Sequence, residues 1–177
     1  SSTDSAGNTG TGTANKAYLV DTTAPAAPTV ISQTTNDNTP TVTGTVTLGT
    51  GETLAVTING VTYTTANGLT VDPVAGTWSV TLPTTTDGTY AVTAVVTDAA
   101  GNTASDTTTN ELIVDTTAPA VPTVISQTTN DNTPTVKGTV ILGTGETLAV
   151  TINGTTYTTA NGLTITGNNW EVTLPTT

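Results

Sequence analysis

The sequence predicts an all-β chain of tandem antiparallel β-sandwiches with essentially no helix. Three observations carry this. Thr and Val dominate the chain, and such β-branched side chains crowd a helix but suit a pleated strand. Apolar residues recur at alternate positions between turn-forming pairs such as Asn59-Gly60 and Asp87-Gly88, the period of a half-buried strand. And Asp21-Thr22-Thr23-Ala24-Pro25 returns letter for letter as Asp115-Thr116-Thr117-Ala118-Pro119, an offset of 94 (115 − 21).

That offset sets the organisation. Asn59-Gly60 recurs at Asn153-Gly154, and Asp4 recurs at Asp98. Residues 1–20 read as the C-terminal strand of a preceding repeat, 21–114 as a complete repeat, and 115–177 as the N-terminal part of the next. With no Met in the chain, the expectation is a fragment of a longer protein. Between 21–71 and 115–165 the copies differ only at Ala27/Val121, Thr43/Lys137, Thr47/Ile141, Val61/Thr155 and Val71/Ile165. A unit of ~100 residues is the size of an independently folding domain, not of a solenoid repeat.

Along the complete repeat, Ala24 to Pro28 is an extended, proline-punctuated lead-in. Thr29 to Ser32 is short enough for a first edge strand. Thr34 to Asn38 carries turn chemistry, because Asn and Asp bond their own backbone. Thr41 to Leu48 alternates, with Val42, Gly44, Val46 and Leu48 inward and the threonines outward. Lys137, which replaces Thr43, falls on the outward face. Leu54, Val56 and Ile58 form the next inward set, closed by Asn59-Gly60, a strong two-residue hairpin signal. Val61 and Tyr63 lie on the returning strand. Asn67-Gly68 turns the chain again, and Leu69 and Val71 form a short strand. Trp78, Val80 and Leu82 alternate inward, so Trp78 reads as core rather than as a platform for a sugar. Asp87-Gly88 leads into Tyr90, Val92, Ala94 and Val96. Tyr90 serves either as a tyrosine corner or as core. Asp98 to Asn102 is a tight acidic turn, and Leu112 and Val114 end the last strand. About seven short strands with turns every ~8–12 residues match a β-sandwich.

Composition excludes several functions. The formal net charge is −11, with two Lys and neither Arg nor His. No basic surface for nucleic acid can be built from this, nor one for anionic membranes. No apolar run is long enough to span a bilayer. Cys is absent, so disulfides do not staple the fold. Catalysis has little to draw on, because no residue suited to activate a Ser or Thr nucleophile is evident. Lys16 and Lys137 occupy non-corresponding places and belong to no repeated site.

Three motifs stand in a fixed order: Asp-Thr-Thr-Ala-Pro at Asp21, Thr-Asn-Asp-Asn-Thr-Pro-Thr-Val-Thr-Gly-Thr-Val from Thr35 to Val46, and Thr-Asp-Ala-Ala-Gly-Asn-Thr from Thr97. In order and spacing the chain resembles the bacterial Ig-like repeats of giant biofilm-associated and RTX-type surface adhesins, over its whole length. The resemblance implies Ig-like sandwiches of an extracellular, secreted protein. It implies a spacer that projects an adhesive tip for cell adhesion and biofilm formation, with calcium stiffening the junctions between repeats.

The carboxylates are the candidate ligands, since calcium takes six to eight oxygens. Asp21 opens the complete repeat, and sandwich topology brings the loop of Glu52 and the turn of Asp98 to the same end. The equivalent junction has Asp115 and Glu146. Asn36, Asp37 and Asp87 lie at the other end, with Asp131 the copy of Asp37. For Asp37, Asp87 and Asp131 turn formation competes evenly with calcium. Asp72 and Asp106 read as surface charges, since Thr166 replaces Asp72. In this reading calcium is a structural ion between repeats. A cluster of carboxylates without metal repels itself and leaves the hinge free.

Two other functions stand beside the spacer. A carbohydrate- or matrix-binding module should vary its loops and expose aromatics. A hydrolase accessory domain needs a catalytic neighbour. The expected partners are neighbouring repeats of the same chain. Because 115–177 lacks its last two strands and 1–20 is a strand without a sandwich, self-association through open edges is also expected.

Overall fold

The computed structural model describes residues 1–12 and 19–176, and it divides into two compact units, 1–116 and 117–177. Among the described residues there is no helix. In the first unit the strands are β1 (Ser2–Thr3), β2 (Thr9–Gly10), β3 (Thr29–Val30), β4 (Gln33–Thr35), β5 (Thr41–Thr45), β6 (Thr53–Ile58), β7 (Val61–Tyr63), β8 (Leu69–Asp72), β9 (Thr77–Thr81), β10 (Gly88–Tyr90), β11 (Val92–Thr97), β12 (Thr103–Ser105) and β13 (Leu112–Val114). The second unit has β14 (Thr123–Val124), β15 (Thr135–Thr139), β16 (Val150–Ile152), β17 (Thr155–Tyr157), β18 (Leu163–Thr166) and β19 (Asn169–Thr173).

In the first unit one antiparallel sheet has the order β3-β5-β9-β8 and a second has β12-β11-β6-β7. A three-stranded sheet, β10-β13-β4, joins them. The inward rows from the two large sheets meet in one core. Val42, Trp78 and Val80 come from the first, and Leu54, Val56, Ile58, Val92, Ala94 and Val96 from the second. This is the alternation of the sequence made physical, because a strand points successive side chains to opposite faces.

Trp78 is 2% exposed and stands opposite Gly44 across the β5–β9 pair. Its indole Nε1 donates to the Thr29 carbonyl at 3.0 Å. A Cβ at position 44 would collide with that carbonyl and lie 2.5 Å from the Trp78 ring. Gly44 is therefore the space the indole fills. Gly138 and Trp170 repeat the arrangement in the second unit.

The structure corrects the sequence reading where strands break and pair; the run from Tyr90 to Val96, for one, divides into β10 and β11 in different sheets. The first strand is not one edge strand over Thr29 to Ser32. It breaks and changes sheet, so β3 pairs with β5 while Gln33–Thr35, of which Thr34 and Thr35 are expected in a turn, forms β4 on β13. That pairing is parallel, so the sandwich is not wholly antiparallel. Thr103–Ser105 adds a short edge strand beside β11. Tyr90 resolves as a corner, its hydroxyl donating to the Thr86 carbonyl at 2.8 Å.

Residues 1–12 carry a small hairpin, β1–β2, that copies the turn at Asp98. Leu19 is 88% exposed and lies in no strand. The rest of the strand expected there, with Lys16, falls on residues outside those described.

The second unit builds the sheet β14-β15-β19-β18 and a separate β16-β17 hairpin around Val140, Leu163, Trp170 and Val172. Leu148, Val150 and Ile152 are only half-buried, whereas their counterparts Leu54, Val56 and Ile58 are buried. In the first unit that row lies on β6, which β11 flanks along its length. The two-residue gap between the copies falls in the β18–β19 turn, where Gly167-Asn168 replaces the four residues from Pro73 to Gly76.

Candidate functional site

Loop carboxylates are the candidate chemistry, and each is built by its own turn. At Asp98 the carboxylate Oδ1 accepts the N–H groups of Ala100 (2.9 Å) and Asn102 (2.8 Å), and Oδ2 accepts the Asn102 amide at 2.8 Å. Gly101 closes the turn at φ 96°, a conformation that suits glycine. The Asn102 side-chain bond, helped by the backbone donors, holds Asp98 below the ordinary aspartate value of 3.8. Asp4 has the same turn and the same downward shift, with Asn8 as the leading cause. Donors aimed at a carboxylate favour its charged form.

Asn102 also reaches outward. Its amide donates to the Asp21 carbonyl at 3.1 Å, which ties the lead-in segment to the Asp98 turn. Thr53 faces Thr97 at the end of the β6–β11 pair, so Glu52 and Asp98, one residue further out, share that end. The Gly51 backbone lies against Ala99, whose methyl would be 3.5 Å from a Cβ at 51. The structure thus brings the segments of Asp21, Glu52 and Asp98 to one end of the first unit.

The carboxylates themselves are not gathered. Among the described residues no three acids lie close enough to hold a metal ion. Glu52 turns back to accept the Gly49 N–H at 2.7 Å, and Asp21 accepts the Thr23 N–H at 3.0 Å. The donor set is right for calcium in kind, all hard oxygen, but its carboxylates do not form a calcium cage as they stand.

At the other end, Asp37 Oδ1 accepts the Thr39 N–H (2.8 Å) and hydroxyl (2.9 Å). Asp131 repeats these bonds with Thr133. Both are turn formers. Asp87 Oδ1 accepts the Thr116 N–H at 2.9 Å and its hydroxyl at 2.6 Å, and the Asp115 N–H donates to the Thr35 carbonyl at 2.9 Å. These bonds fasten the end of β13 to the body of the first unit. Glu146, in the second unit, accepts the Gly143 N–H at 2.7 Å, as Glu52 does in the first. Asp72 and Asp106 each cap a local turn.

One residue that sequence reasoning passed over is Glu111. It is 1% exposed. Its Oε2 accepts the Val92 N–H at 2.9 Å, and its Oε1 has no hydrogen-bond partner among the described residues. Val92 opens β11 directly after Ala91, where the chain leaves the sheet of β10 for that of β11. The carboxylate takes a backbone donor at this change of sheet. No apolar period marks such a position, and Ala17 stands there in the preceding copy.

A groove lined by Ile58, Tyr63, Leu82, Pro83 and Tyr90 recurs in the second unit at Ile152, Tyr157, Leu174 and Pro175. It has no acid, and no base is present in it.

Comparison with known proteins places this architecture. The sequence model of a family described as bacterial Ig-like domain matches residues 28–116. Among solved structures, the chain is similar to one described as a 1.5-MDa bacterial ice-binding adhesin, studied for host cell surface retention, at 32% identity and TM-score 0.41. That match covers 97% of this chain and 60% of the other, so the chain spans little more than half of that relative. It is also similar to the titin domains z1z2 in complex with telethonin, at 14% identity and TM-score 0.39, over 88% of this chain and 84% of that one. SGBP-B of a Bacteroides ovatus mixed-linkage glucan utilization locus, solved with a mixed-linkage heptasaccharide, matches at 17% identity and TM-score 0.30, over 88% of this chain and 37% of that one. No curated protein matches.

Proposed function

Since the chain belongs to the bacterial Ig-like domain family, we propose that it is a spacer repeat of a bacterial cell-surface adhesin. In this reading it is an extracellular element that holds an adhesive tip away from the cell during adhesion and biofilm formation. It performs no catalysis.

The proposal is carried by the loops that both copies keep, the turn between β8 and β9 and its shorter counterpart between β18 and β19 excepted. Glu52 and Glu146 close the same loop, Asp37 and Asp131 the same turn, and Asn67 and Asn161 the same three-bond knot. The differences between the copies leave these loops untouched. Recognition calls for loops that vary around a scaffold, whereas a length element needs only the same fold again.

Calcium at the junctions belongs to the same proposal. The candidate acids sit in loops, in a chain with only two Lys and no Arg to balance them. Asp21, Glu52, Asp98, Asp115 and Glu146 would supply the oxygens. Because the three acids at one end of the first unit do not form a cage alone, further oxygens have to complete any such site. Metal bound there would convert its binding energy into one fixed arrangement.

The test is made on cells. Antibody against the repeat should label intact bacteria, and shortening the array by whole repeats should weaken adhesion while the tip is still exported. Tight binding of the isolated chain to a glycan, with adhesion indifferent to array length, would favour a ligand-binding module instead.

A further inference from the structure

We propose that Asn59 and Asn153 are sites of spontaneous backbone modification, converting to aspartate and isoaspartate, and that Asn67 and Asn161 are protected from it. All four are followed by glycine, so bare sequence does not separate them. The structure does.

The reaction needs the backbone nitrogen of the following residue to reach the Asn side-chain carbon. Glycine leaves that nitrogen unhindered. The nitrogen attacks Cγ, the new C–N bond closes a five-membered imide, the Cγ–Nδ2 bond breaks, and ammonia leaves with the nitrogen's proton. Water then opens the ring. Addition at Cγ gives aspartate in the normal main chain. Addition at the backbone carbonyl gives isoaspartate, with the chain rerouted through Cγ.

Asn59 and Asn153 are the less restrained pair. Both head two-residue hairpin loops at φ 50°, followed by Gly60 at φ 77° and Gly154 at φ 80°. Both are exposed, and nothing lies within 4 Å of the point where a Gly60 or Gly154 Cβ would stand. In this left-handed turn the glycine nitrogen points away from the side chain, so attack waits on a rotation of the loop backbone; no hydrogen bond among the described residues holds either side chain against it.

Asn67 and Asn161 are locked. Asn67 Oδ1 accepts the Thr64 N–H at 2.5 Å and the Thr64 hydroxyl at 2.9 Å, and its Nδ2 donates to the Thr62 carbonyl at 2.9 Å. Asn161 repeats the knot with the Thr158 N–H (2.5 Å), the Thr158 hydroxyl (3.0 Å) and the Thr156 carbonyl (3.0 Å). Attack requires these bonds to break first, which slows it by roughly tenfold or more.

The consequence is local and directional. Ile58 pairs with Val92, at the end of the β6–β11 pair away from Asp98. Each conversion adds a carboxylate at that end of the unit, and the isoaspartate form also lengthens the main chain of a loop that has only two residues.

The test is peptide mapping by mass spectrometry of the intact 177-residue chain, aged at mildly alkaline pH, alongside the same chain in denaturant. Positions 59 and 153 should convert about tenfold or more faster than 67 and 161 in the folded chain, and all four should convert alike in denaturant. Equal conversion in the folded chain, or faster conversion at 67 and 161, overturns the proposal. A Thr64→Val variant should raise conversion at 67 and leave 59 unchanged; an unaltered rate at 67 overturns the hydrogen-bond account of protection.

Discussion

Lys137 stands opposite Glu171 across the β15–β19 pair, their side chains bridged at 3.5 Å, at the positions that Thr43 and Ser79 fill in the first unit. Two differences between nearly identical copies thus fall on one cross-strand pair. A Thr–Ser pair has been exchanged for a charge pair on a face that both copies leave open. Directly opposed residues are the units of side-chain interaction in a sheet. Both side chains are about half-exposed, at 57% and 50%. A double-mutant cycle with Lys137→Thr and Glu171→Ser should therefore return a coupling of only about 0.2–1 kcal/mol. The coupling should fade in molar salt. Zero coupling at low salt would mean the two exchanges are independent.

The Trp78–Gly44 fit should dominate the stability of the first unit. Trp78→Ala empties the centre of its core and should cost about 3–5 kcal/mol. Gly44→Ala removes nothing, yet drives a methyl into the Thr29 carbonyl and the indole, and should cost about 1–3 kcal/mol or more. Denaturant unfolding followed by circular dichroism measures both. A neutral Gly44→Ala would show that the indole has room to move.

Glu111 should act through the Val92 N–H. Glu111→Ala leaves that buried donor unpaired, at a cost of about 1–3 kcal/mol, and the Val92 amide should exchange with solvent faster. Glu111→Gln keeps an acceptor in reach and should lose less. Equal losses in the two variants would point to packing rather than to the hydrogen bond.

Asp98 should titrate below 3.8, because Asn102 and the turn's N–H groups favour its charged form. Its folded value is depressed, so its contribution to stability is present above the unfolded value and is lost as pH falls through the folded one. Carboxyl carbon shifts measured by NMR across the acid range check this. Asn102→Ala should move the Asp98 midpoint up toward 3.8, and an unmoved midpoint would contradict the assigned cause.

The fold was legible where a residue's own neighbours determine its place. Val42, Val56, Trp78 and Val96 sit inward as their alternation requires. Asn59-Gly60 turns as its dipeptide requires, with Asn59 at positive φ. What escaped were relations between distant segments. Gln33–Thr35 has no apolar period, and it is a strand only because Leu112–Val114 lies parallel beside it. Glu111 reads as a loop residue until the gap before Val92 is seen. The candidate site divides in the same way. That the Asp21, Glu52 and Asp98 segments share an end follows from strand order. That their carboxylates turn back onto Thr23, Gly49 and Asn102 depends on local backbone angles no pattern exposes.

The most direct test of a calcium-stiffened spacer is small-angle X-ray scattering of the 177-residue chain in calcium and again in chelator. The account predicts a longer maximum dimension and a narrower distribution of shapes with calcium, both reversed by the chelator. The same maximum dimension in the two conditions would contradict it.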